Sequence, residues 1–250
     1  MTGIERPLAP AFYAAPAGRR AGVDWWVLLH PPYTLWHLSY VAIGAAVAPA
    51  FDPGRLAATL VAFFLAVGVC AHALDELNGR PLRTAIPGWA LAAAAAASLT
   101  AAVALGLAGV SRVGPGLLVF IVTGAVLTCG YNLELLGGRL HNDTTFAAAW
   151  GAFPVLTAYY AQAETLQPPA VAAAAAAYSL SNAQRRLSTP ARELRRRVAS
   201  VDGVIVGHDG ARRELTVPVL LTPLEGALKA MTWGVIALAV ALVLHRLASG

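Results

Sequence analysis

Of the 250 residues, 58% are hydrophobic and only 12% are charged, about half the charged fraction of a soluble domain. Apolar runs of roughly 20 residues recur along most of the chain, which excludes an ordinary soluble globule and predicts an all-α, polytopic transmembrane helical bundle. The net charge of +5 lies mostly in the links between those runs, so it reads as a topology signal on a lipid bilayer and not as a nucleic-acid surface.

In chain order, residues 1–23 are a tail without the apolar core of a cleaved signal peptide. Seven spans are predicted, near 27–49, 54–77, 87–109, 115–137, 143–163, 168–187 and 224–245. The first six make a membrane domain over 24–187, and 224–250 holds the last span and the C-terminus. The links carry the breakers FDPG, NGRP, VGPG, GGRLHND and LQPP. Alanine runs at 92–97 and 172–177 fit close packing of helices in lipid. Residues 188–223 form a small cap. In it, Thr189 and Pro190 have the chemistry of a new helix start, and VDGVIVGHDGARRELTVPVLL reads as a hairpin turning at HDG. Cys70 and Cys129 lie in apolar runs with no CxxC partner, which predicts free thiols.

Arginines set the orientation. One side has Arg6, Arg19, Arg20, Arg80, Arg83, Arg139, Arg185, Arg186, Arg192, Arg195, Arg196, Arg197, Arg212 and Arg213; the other has Arg55, Arg112 and Arg246. The positive-inside rule then places the N-terminus in the cytoplasm of a multi-pass protein of the cell membrane. The cluster at 192–197 reads as a contact for anionic lipid heads.

Polar side chains gather at the cytoplasmic ends of the spans. In GVCAHALDELNGRPLRT, His72, Asp75 and Glu76 stand at i, i+3 and i+4, which puts them on one broad helix face. Span four ends with Tyr131, Asn132, Glu134, His141 and Asp143, and span six with Ser181, Asn182 and Gln184. An uncompensated charge in lipid costs at least about 2.5–3.5 kcal/mol on insertion scales. Asp75 and Glu76 therefore call for a cation or for pairing with Arg80 and Arg83. The metal-competent set is His72, Asp75, Glu76, Glu134 and His141. Carboxylates suit Mg²⁺, and added imidazole suits Fe, Mn or Zn. His37, mid-span, reads as a cross-helix hydrogen-bonding residue or as a further ligand. Asn78 closes its helix before Gly79.

The layout resembles the UbiA superfamily of intramembrane prenyltransferases. AHALDELNGRPL lies along that family's NDxxDxxxD motif and the RPL that follows it. Asp75 matches the second aspartate, His72 falls at the first, Ala71 at the Asn and Gly79 at the third, while Arg80, Pro81 and Leu82 match RPL. HPPYTLWHLSYVAIGAAVAP looks like the family's first span, and YNLELLGGRLHNDTTFAAAWGAFPVLTAYYA like the stretch joining spans four and five. The second acidic motif is absent: SLSNAQRRLSTPARE has no acid before Glu193.

The resemblance implies a metal-assisted transferase. It would pass an isoprenoid from a polyprenyl diphosphate to a membrane-soluble acceptor, with Asp75, Glu76 and Arg80 catalytic. Arg80, Arg83, Arg185, Arg186, Tyr131 and Asn182 are the residues expected to hold the substrate, since paired arginine donors match diphosphate oxygens. Two other functions fit the same residues: a membrane metalloenzyme using the His/carboxylate set for other chemistry, and a lipid-binding protein without catalysis.

Overall fold

The computed structural model describes residues 21–249; Arg6, Arg19 and Arg20 lie outside that range. The chain is mostly helical. Its helices are α1 (Ala21–Leu28), α2 (Pro31–Ala46), α3 (Pro53–Leu77), α4 (Gly88–Val113), α5 (Leu117–Asn132), α6 (143–163), α7 (Pro168–Arg196) and α8 (Val217–Ser249). Of these, α3, α4 and α8 are long and apolar enough to cross a membrane, and α5 is apolar but shorter. All seven apolar runs read from the sequence are helical.

Several boundaries differ from the sequence reading, each for a local reason. The run 27–49 is broken because Pro31 and Pro32 have no N–H to give. His30 takes the left-handed conformation, with φ 42°, and Pro31 opens α2 where no N–H is needed. The fourth run stops at Asn132, and the chain then turns through positive φ at Glu134, Leu136, Gly137 and Gly138. No helix begins at Thr189: α7 runs straight through Pro190 to Arg196. Pro190 removes a single hydrogen bond, to the carbonyl of Arg186, and tertiary contacts of the continuing helix outweigh it. The last helix starts at Val217, seven residues ahead of 224. The hairpin forms as read, with β1 (Val204–Val206) antiparallel to β2 (Arg212–Glu214). Gly210 supplies the left-handed turn residue, with φ 81°. Both cysteines are free.

The bundle packs around α2, which lies against α6 and α8. Trp36 and Tyr40 of α2 meet Val155 of α6, Ala174 and Ala177 of α7 and Val235 of α8 in one core. A second core joins Leu28, Cys70, Leu74, Leu91 and Ala95. Small residues set the approach, as expected where lipid supplies no hydrophobic drive between helices. Two π-helical stretches interrupt the helices, Phe64–Ala71 within α3 and Ala148–Ala152 within α6. Each lies one turn or less from a polar group described below, a frequent place for such bulges.

At the end of the bundle away from His72, Arg55 ties three elements together. Its guanidinium donates to the carbonyls of Ala161 and Arg112 (3.1 and 2.7 Å) and pairs with Glu164 at 3.2 Å. Asp52 caps α3, accepting from the amides of Gly54 and Arg55 at 2.7 and 3.0 Å. The Arg55 amide is the main cause holding this carboxyl below its ordinary range. A depressed carboxyl contributes stability above its unfolded pKa and loses it as pH falls through the folded value. Asp52→Ala is therefore expected to cost about 1 kcal/mol at neutral pH, with the difference from the native chain shrinking in acid. Melting temperature in detergent, followed from pH 7 downward, measures both.

Between α3, α4, α5 and α6 lies an apolar chamber of about 770 Å³. It runs from Arg55 and Arg112 to Val67, Thr128 and Trp150, walled on the way by Phe63, Leu99, Phe120, Ile121 and Phe153.

Candidate functional site

The C-terminal end of α3 turns its polar stripe in two directions. Successive helical residues are about 100° apart, so Asp75 and Glu76 flank the stripe on which His72 stands. Asp75 and His72 line a cavity of about 180 Å³. Glu76 points the other way and is fully buried. Its carboxylate accepts from the Leu82 amide at 2.9 Å, the Thr84 amide at 2.8 Å and the Thr84 hydroxyl at 2.9 Å. Glu76 thus holds the loop after α3 and is corrected here from catalytic group and metal ligand to loop staple.

That loop accounts for two further predicted residues. Arg80, at φ 53°, donates from Nη1 to the Ile86 carbonyl at 2.6 Å. Arg83, at φ 52°, is exposed. Neither lines the cavity. The positive φ values follow from compressing the turn so that Leu82 and Thr84 reach Glu76. Asn78, after the last residue of α3, donates to the Asn132 carbonyl at 3.2 Å and ties the ends of α3 and α5 together.

The cavity draws on five helices, α3 among them, and on the loops after α3 and α5. His30 and Tyr33 stand at the start of α2, with His37 one turn further on; Tyr131 ends α5; His141 stands just before α6, with Phe146 and Trp150 within it; Gln184, Arg185, Ser188, Arg192 and Arg196 come from α7. Three of the four histidines lining the cavity are oriented by main-chain oxygens. His37 Nδ1 donates to the Trp150 carbonyl at 2.8 Å. In an α-helix that carbonyl would pair with residue 154, and Pro154 has no N–H. His72 donates to the Gly68 carbonyl at 3.0 Å, in the π-helical stretch, and His141 to the Tyr131 carbonyl at 3.3 Å. A carbonyl only accepts, so each of these rings carries its proton on Nδ1 when neutral and leaves Nε2 as a lone pair. His141 also stacks on Tyr131 with centroids 4.5 Å apart, and the rings of His30 and His72 lie 5.3 Å apart.

Charge in the cavity is lopsided. Arg185 is bonded to Asp143 at 2.9 Å and lies over the Phe146 ring. Arg192 has no hydrogen-bond or ion-pair partner among the described residues. Burial, then Arg185 and Arg196, hold its guanidinium below the ordinary arginine range. Among the described residues, Asp75 is the sole carboxylate lining the cavity. Of the other residues read from the sequence, Arg186 is exposed and donates to Asn182 at 3.2 Å, outside the cavity. Glu134 is half-exposed, with its carboxylate 3.9 Å from His141.

The metal pair implied by the family does not fit this arrangement. Glu76 is occupied by the loop, Asp143 by Arg185, and α7 contributes arginines where an acidic motif is needed. Among the described residues no three His, Cys, Asp or Glu side chains stand close enough together to hold a metal ion. The residues sequence reading missed are His30, Gln184 as a lining group, Arg192 and Arg196. A signal existed: residues 184, 188, 192 and 196 recur every four positions, one face of a helix, hidden by reading Thr189–Pro190 as a break.

Two of the lining residues, Val67 and Trp150, also wall the apolar chamber. The polar cavity and the apolar chamber are thus neighbours across one partition. The chain matches no protein-family model, no curated protein and no solved structure.

Proposed function

We propose that this chain is a UbiA-like prenyltransferase of the cell membrane. In this reading it has seven spans and a cytoplasmic N-terminus, and the polar cavity opens toward the cytoplasm. The orientation rests on the arginine asymmetry. The observation that carries the function is the shared partition at Val67 and Trp150. An amphiphile with a long apolar tail and a compact anionic head would place the tail among Phe63, Phe120 and Phe153 and the head beside Arg185 and Arg192. A polyprenyl diphosphate has that form.

The chemistry follows from the residues on each side. The allylic C–O bond breaks with its electron pair leaving on the diphosphate, whose growing charge the guanidinium groups stabilise. The apolar chamber keeps water from the allylic cation. An acceptor nucleophile then bonds to that carbon, and its proton passes to Asp75 or to the free Nε2 of His72, within the same cavity.

The test is binding of geranylgeranyl diphosphate to purified protein and to Ala66→Trp, which fills the chamber beside the partition. The variant is expected to bind the 20-carbon ligand roughly tenfold more weakly while inorganic diphosphate binds as before. Equal affinity of both proteins for the prenyl ligand would sink this reading. Iron or zinc retained stoichiometrically through purification would count against it, since no three His, Cys, Asp or Glu side chains among the described residues stand close enough together to hold a metal ion.

A further inference from the structure

Buried polar atoms without partners are rare in folded proteins, and each one calls for an explanation. Among the described residues, two that can serve as donors reach the 180 Å³ cavity, His30 Nδ1 and the Tyr131 hydroxyl; a third, Gln184 Oε1, only accepts. Tyr131 and Gln184 are 4% and 3% exposed, so bulk water does not satisfy them. Arg192 faces the same space with no hydrogen-bond or ion-pair partner among the described residues, and Asp75 acts on it only through space. With Arg185 neutralised by Asp143, Arg192 and Arg196 outnumber Asp75 by two to one. A cavity with surplus fixed positive charge, an unused hydroxyl donor and an unused imidazole is built for an anion with several acceptor oxygens.

Resting on the proposed function, we infer that this cavity binds the phosphoryl head of its ligand through Arg192, Arg196 and Tyr131 directly, without a divalent metal. The arginines of α7 stand where the family's second acidic motif would bring its metal. Fixed guanidinium donors replace ion-bridged carboxylates, which explains how α7 lacks any acid before Glu193 and still forms part of the site. Asp75 is left to take the acceptor's proton in the proposed reaction. Phosphoryl oxygens could come from a prenyl diphosphate, a phospholipid head or free phosphate, and the recognition chemistry is shared.

The experiment measures binding of inorganic diphosphate, geranylgeranyl diphosphate and phosphatidic acid in mixed micelles to the full chain, each in excess EDTA and again with Mg²⁺. Arg192→Gln and Arg192→Lys are compared with Arg213→Gln, a change on the exposed hairpin. The expected result is saturable binding of inorganic and prenyl diphosphate in EDTA. Arg192→Gln should weaken both roughly tenfold or more, Arg192→Lys by less, and Arg213→Gln should leave both unchanged. Phosphatidic acid binding that needs Arg192, with neither diphosphate bound, would uphold the metal-free site and assign it to a lipid head. Binding that appears only with Mg²⁺, or that is equal in native protein and in a folded Arg192→Gln, overturns the inference. Size exclusion and melting temperature of each variant establish folding. Loss of prenyl affinity alone, with inorganic diphosphate still bound in EDTA, would instead count against the prenyltransferase reading.

Discussion

Replacing Glu76 by alanine is expected to lower the stability of the protein by about 3 kcal/mol or more. The carboxylate is fully buried and accepts from the amides of Leu82 and Thr84 and from the Thr84 hydroxyl. A hydrogen bond to a charged group contributes about 1.5–3 kcal/mol, and a buried donor stripped of its acceptor costs about 1–3 kcal/mol. Truncation removes all three bonds and opens a cavity beneath the loop. Glu76→Gln is expected to fall between the two. Its amide keeps one acceptor oxygen but turns an NH₂ toward a backbone N–H. The melting temperature in detergent decides the matter, read beside Asp75→Asn. Asp75 stands at the cavity and staples nothing, so its amide should preserve the fold. If Glu76 were a metal ligand, Glu76→Gln would lose metal and melt at or above the native temperature.

Gly44→Leu is expected to prevent native assembly of the bundle, and Gly44→Ala to destabilise it by roughly 3 kcal/mol. A Cβ at Gly44 meets the carbonyl oxygen, Cα and carbonyl carbon of Val155. These are backbone atoms of α6 that no rotamer change can move aside, so α2 and α6 would have to separate. The core of Trp36, Tyr40 and Val155 sits at that crossing, and separation would open it along its length. Gly234→Ala is the control. Nothing lies within 4 Å of a Cβ there, and alanine favours a helix by about 0.8–1.0 kcal/mol over glycine. Fluorescence-detected size exclusion after heating should therefore rank Gly234→Ala at or above native, Gly44→Ala below it and Gly44→Leu without a monodisperse peak.

Much of the candidate site could be read before the fold was known. His72 and Asp75, Tyr131 and His141, and Arg185 all meet at one cavity, and their clustering at span ends on the arginine-rich side is visible in the sequence. Other placements are not legible in the sequence, for identifiable reasons. Glu76 shares a broad face with Asp75 on a helical wheel, yet 100° is enough to send one into the cavity and the other under the loop. The sequence shows Arg192 and Arg196 only as part of a basic cluster, because Pro190 hides that α7 carries them on past Gln184 and Ser188.

By itself the sequence determined the mostly helical class, the helices long and apolar enough to cross a membrane, the hairpin turn and the polar end of the bundle. Those features follow from local composition, from helical periodicity and from the rule that buried backbone must bond to itself. Tertiary structure decided the rest. It decided that α7 continues past Pro190, because packing along a long helix outweighs one missing bond. It decided that the Trp150 carbonyl receives His37, because Pro154 cannot supply the bond and α2 crosses beside it. It also decided that the apolar chamber and the polar cavity share Val67 and Trp150, a neighbour relation that no spacing along the chain encodes. Periodicity fixes which way a side chain faces on its own helix, whereas what it faces depends on how the helices cross, and here that depends on small residues such as Gly44.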